Sequence, residues 1–154
     1  MRPRLAIPLA VLVLATPLAA CGESEKDKYI GDFKPLNDKL IGLGSDLSKA
    51  VQGADSQSDA ALAKQFNRLA TRLGALNEDI AALDTPSDLK DEAKTLNSRL
   101  DDTIDDLEDI AKAARAGNAQ DAAAATVELS TDSEQVNTAQ NKLARATGAE
   151  TGSR

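Results

Sequence analysis

The chain has no histidine and no tryptophan, one cysteine (Cys21) and three aromatic residues, Tyr29, Phe33 and Phe66. Without histidine, mixed Cys/His zinc sites, His-ligated haem, Cys–His proteases and Ser–His–Asp triads all fall away. A lone cysteine cannot close a disulfide within the chain. No metal and no cofactor is therefore expected. Basic residues are the scarce charge: 18 Lys and Arg stand against 25 Asp and Glu, a formal charge of −7. That excess repels phosphate backbones and anionic headgroups, so no nucleic-acid partner is expected. Runs of β-branched residues are missing too. What remains, dominated by Leu, Ala, Asp, Lys and Glu, favours helices.

The N-terminus is built differently. Arg2 and Arg4 precede an apolar run over residues 5–15, interrupted only by Pro8. The run is about 11 residues, against about 20 needed to span a bilayer, so it reads as the apolar core of a secretory signal. Pro17 then ends it ahead of Leu18-Ala19-Ala20-Cys21. This tetrapeptide resembles the lipobox of bacterial lipoproteins. The resemblance implies cleavage after Ala20, thioether lipidation of Cys21 and acylation, as by palmitate, of the new N-terminus. It implies a cell-membrane protein, lipid-anchored on the extracytoplasmic face. The alternative is an ordinary small-residue cleavage signal beside an incidental cysteine. Cleavage would remove Arg2 and Arg4 and no acid, so the membrane partner must be held through lipid rather than through charge.

Downstream, apolar residues recur in steps of four and three. The first series is Tyr29, Phe33, Leu36, Leu40, Leu43, Leu47, Ala50; the second is Leu62, Phe66, Leu69, Leu73, Leu76, Ile80, Leu83. The third is Leu89, Ala93, Leu96, Leu100, Thr103, Leu107, Ile110, Ala114, and a weaker fourth is Ala122, Ala125, Leu129, Asp132, Val136, Ala139, Leu143. An average step of 3.5 is the mark of helices packed knobs-into-holes. Ser24 with Asp27, Ser58, Thr85 before Pro86, and Gly117-Asn118 supply the caps between them. Pro35 and the pair Gly42, Gly44 weaken the first helix, and Pro35 predicts a kink. Short joints make sequential helices antiparallel neighbours. The expectation is all-α: an up-down-up-down antiparallel four-helix bundle with heptad-like packing. Its divisions are 1–20 signal, 21–24 lipidated Cys and tether, 25–146 bundle and 147–154 disordered tail. A dimer of helical hairpins satisfies the same heptads. In texture the mature part resembles small helical lipoproteins of high-GC Gram-positive bacteria.

Three constellations invite chemistry. The acidic run over residues 101–109 is interrupted by Thr103, Ile104 and Leu107 at helical spacing, so its carboxylates should radiate outward rather than converge on calcium. Counting from the joint near Thr85 sets Lys64 level with Asp106 and Arg68 level with Asp102, which predicts interhelical ion pairs and also neutralises the basic series Lys64, Arg68, Arg72. The third is a mid-height layer of Gly42, Gly44, Thr103 and Asp132, two missing side chains with a hydroxyl and an acid. It reads as a register-fixing polar layer, as a restart of helix four at the capping-box pattern Thr131-Asp132-Ser133-Glu134, or as a small-ligand pocket between helices.

Catalysis by a carboxylate pair needs a concave site, for which capped heptads with short joints leave little room, and the lone Gly42-x-Gly44 lacks the strand–turn–helix setting of a phosphate loop, so an enzyme is not expected. The reading is a lipid-anchored, non-catalytic module acting by contact with an unidentified protein. The alternative is a small-molecule sensor or carrier using the mid-bundle layer.

Overall fold

The computed structural model describes residues 24–147, the side chain of Asp55 excepted. The signal segment, the lipobox with Cys21 and the tail from residue 148 lie outside the described residues. Four helices follow one another: α1 (Glu25–Gln52), α2 (Asp59–Ala81), α3 (Lys90–Ala116) and α4 (Ala119–Thr147), with a single 3-10 turn, Ala54–Ser56, between α1 and α2. The helices pack against one another as a four-helix bundle, and no strand occurs among the described residues. No described helix is long and apolar enough to cross a membrane.

Local chemistry sets the joints. The Ser24 hydroxyl accepts from the Asp27 amide at 3.1 Å and donates to the Asp27 carboxylate at 2.7 Å, satisfying an orphan donor of the first turn. Ser58 does the same for the Ala61 amide, and Asn118 for that of Asp121 at 3.2 Å. Gly117 closes α3 in the left-handed region at φ 64°, where a side chain would clash with the backbone. α1 runs unbroken through Pro35. α4 likewise continues through Thr131-Asp132-Ser133-Glu134, with the Thr131 hydroxyl donating back to the Val127 carbonyl, so the restart reading is excluded. The helix also takes in Thr147, one residue beyond the expected end of the bundle.

The α2–α3 joint departs from expectation. Thr85 does not cap a helix. Its hydroxyl donates to the Leu83 carbonyl, Pro86 to Leu89 form a turn, and α3 starts only at Lys90. Burying Leu89, 1 % exposed, governs the chain direction here more strongly than the Thr–Pro signal. The Tyr29 hydroxyl is buried beside this turn. Burial pushes its pKa up, and the adjacent Thr85 hydroxyl pulls it partly back.

The core follows the four-three series. Every member of the third series is buried, and Leu96 and Leu100 are fully so. Tyr29 and Phe33 stack with ring centroids 5.8 Å apart. Beside these stripes runs a second set at intervals of seven: Ala63, Ala70, Asn77 on α2 and Asp106, Ala113 on α3, all buried. The packing is uneven. α3 lies against α2 and α4 along its length, whereas α1 rests mainly on α2 and barely meets α4.

Candidate functional site

The gap between α1 and α4 is a cavity of about 900 Å³, open along one side. Its cause is written on α4. Thr126, Ser130, Ser133, Asn137 and Gln140 follow one another in steps of four and three, and all five line the gap. A closed bundle needs apolar residues on that stripe. Hydroxyls and amides supply little drive for burial, so α1 is not drawn onto α4. One polar stitch closes the base of the gap: Gln140 Nε2 donates to Asn37 Oδ1 at 2.6 Å. On its other side α1 is tied to α2 by Arg72 and Asp46, 2.9 Å apart.

The floor and inner walls are aliphatic: Leu40 and Leu43 of α1, Leu69 and Leu73 of α2, Leu100 and Leu107 of α3, Leu129 and Val136 of α4. The two large hydrophobic residues most exposed among the described ones, Ile41 at 56 % and Val127 at 68 %, both stand on the rim. The side chains of Ser130, Ser133 and Asn137 make no hydrogen bond within the described residues, so their polar atoms are free for a guest. Glu134 is the one ionisable side chain of the lining. A concave, largely apolar site with a few convergent polar groups has the make-up of a ligand pocket, and its volume lies within the usual range of about 300–1,000 Å³.

The expected mid-height layer is split by the structure. Thr103, 3 % exposed, and Gly44 do line the cavity. Gly42 is exposed and is not part of it. Asp132 sits on the flank of α4 that faces α3, next to Asp106, and takes a hydrogen bond from Gln135 Nε2 at 2.7 Å. Distance along the chain from a joint carries no azimuth, and the helices turn Thr103 into the cleft and Asp132 towards Asp106. A Cβ at Gly42 or Gly44 meets nothing within 4 Å, so Gly44 leaves open space on the α1 wall opposite the polar stripe of α4.

The expected ion pairs of the acidic run do not form. Asp102 pairs within its own helix with Arg99 at 3.0 Å, and Asp101 accepts from Asn77 Nδ2 at 2.7 Å. Asp106 is turned inward, 9 % exposed, with Oδ2 lacking a donor. Burial pushes its pKa up to about 7, and the nearby acids Asp132, Glu128 and Asp102 push the same way. Protonation of Asp106 relieves both the desolvation and the like-charge contact. Asp106 stands seven residues before buried Ala113, and that spacing was the signal for its burial. Of the basic series only Arg72 finds an acid, Asp46 of α1, because the acids expected opposite Lys64 and Arg68 turn elsewhere. Lys64 and Arg68 instead border a shallow depression with Arg115. Among the described residues no group of three or more carboxylates, His or Cys is placed to hold a metal ion.

Comparison of the chain with models of known protein families gives no match, and comparisons with curated proteins and with solved structures give none either.

Proposed function

We propose that this chain is a lipid-anchored protein of the extracytoplasmic face of the cell membrane, and that it carries or senses a small apolar ligand held without covalent chemistry in the α1–α4 cleft. The anchor rests on the resemblance of Leu18-Ala19-Ala20-Cys21 to a lipobox. The binding function rests on one observation: a cavity of about 900 Å³ whose floor is leucine and whose polar wall has unused hydrogen-bonding groups. A guest that covers Ile41, Val127 and the leucine floor removes from water the apolar surface that α1 and α4 fail to hide from each other. The non-catalytic reading is supported by the placement of the carboxylate pair Asp106 and Asp132, which does not line the cleft. A second reading, a protein-contact module, draws on exposed Ile41 and Val127 alone.

The test is a titration with the apolar dye N-phenyl-1-naphthylamine, whose fluorescence rises on leaving water. The chain from position 21 onward, carrying Cys21→Ser, is compared with the same chain carrying Ser133→Phe. Ser133 is half-buried on the cleft wall, so a phenyl ring there narrows the cleft without breaking a hydrogen bond. Saturable dye binding, weakened in the Ser133→Phe chain while its Tm stays equal or rises, is expected. Equal dye binding in both chains moves the site elsewhere and sinks the proposal.

A further inference from the structure

We infer that the cleft takes an uncharged amphiphile bearing an aliphatic chain, of the monoacylglycerol type, with its chain on the leucine floor and its hydroxylated head against α4. This rests on the ligand-binding reading above and names the ligand class.

Shape is the first ground. The lining extends from Leu40 to Gln52 on α1 and from Thr126 to Gln140 on α4. At 1.5 Å per residue these are stretches of about 18 and 21 Å, a long slot that suits a chain better than a compact ring system. Charge is the second. The lining has no Lys or Arg, so an anionic head would lie uncompensated beside Glu134. Hydrogen bonding is the third. Ser130, Ser133 and Asn137 offer two hydroxyls and an amide that nothing in the described residues uses, neutral groups that match a neutral polyol head. A protein helix fits less well, because the Gln140–Asn37 bond closes the base of the slot that a helix would have to run through.

Displacement of N-phenyl-1-naphthylamine from the Cys21→Ser chain distinguishes the ligand classes. A monoacylglycerol, the fatty acid and the alkyltrimethylammonium ion are compared at equal chain length and neutral pH. The monoacylglycerol should displace the dye at about tenfold lower concentration than the fatty acid, the scale of one unit-charge repulsion near a protein surface. Glu134→Gln should narrow the gap to the fatty acid and leave the monoacylglycerol unchanged. Ser130→Ala combined with Ser133→Ala should weaken the monoacylglycerol about fivefold, the worth of a hydrogen bond, with dye affinity unaltered. Displacement by the fatty acid or the ammonium ion at an equal or lower concentration overturns the assignment while leaving the cleft as a ligand site. Failure of the dye to bind overturns the ligand-binding reading itself.

Discussion

Asp106 is nine-tenths out of solvent, and the group that faces it is another carboxylate, Asp132. Its pKa is pushed up to about 7 from 3.8, so the folded chain holds a proton that the unfolded chain releases throughout the interval between those values. The contribution of this group is fully present below about pH 4 and is lost as pH rises to about 7, after which it stays lost. Solvent at the edge of the α3–α4 seam screens part of it, leaving a loss of about 2 kcal/mol. Urea unfolding of the wild type and of Asp106→Asn from about pH 4 to pH 8 isolates the effect. The wild type should lose stability relative to the variant as pH rises, and parallel profiles would show that Asp106 is ionised in the fold. This behaviour was hidden in the sequence because Asp106 stands among five other acids in residues 101–109, and such a run reads as a solvated face. Its seven-residue spacing to Ala113 was the only sign of burial.

Gly44 makes the opposite point at the same scale. Its Cβ would meet open space, so Gly44→Ala gains helix propensity without a clash. Thermal unfolding should show stabilisation of about 1 kcal/mol, and a destabilised Gly44→Ala would mean that α1 closes tightly over the cleft at this position.

The helices differ in how much they hold. α3 packs along both α2 and α4, and Leu100 is fully buried where they meet. Leu47 on α1 is only half-buried at the cleft. Leu100→Ala should therefore cost about 3 kcal/mol in urea unfolding, and Leu47→Ala about 1 kcal/mol or less. Similar losses for both would contradict the unequal packing. Where an element was legible in the sequence, the cause was local. Ser24, Ser58 and Asn118 cap because a short polar side chain reaches its own helix, and Gly117 ends α3 because its φ of 64° suits glycine. Thr85-Pro86 carries an equally good local signal, yet the burial of Leu89 three residues on overrides it. Tertiary packing decides that joint, and no local pattern records it.

At the scale of the whole molecule, four-three leucine stripes specify a bundle, and a competing polar stripe on α4 keeps one side of it from closing. Both patterns are in the sequence. The stripe of Thr126, Ser130, Ser133, Asn137 and Gln140 has the same period as the apolar one, but polar residues on a helix normally face water and so do not announce a gap. Only the packing of α1 shows that this face points across a gap. The cleft begins at Leu40, about 24 Å along α1 from Ser24 at 1.5 Å per residue, so the proposed tether at Cys21 would leave the proposed guest away from the anchor. Cell fractionation of Cys21→Ser should find the protein in the medium rather than with membranes, and full membrane retention would remove the anchor from the proposal.

The claim that a chain-bearing ligand lies between α1 and α4 is tested most directly by quenching. The chain contains no tryptophan, so Val127→Trp places a single reporter on the rim of the cleft. Titration with a monoacylglycerol brominated along its chain should quench that reporter saturably, with the same ligand leaving a reporter at exposed Lys112 of α3 unaffected. Equal quenching at both positions, or none at Val127 up to the solubility limit of the ligand, would contradict a ligand seated in the cleft.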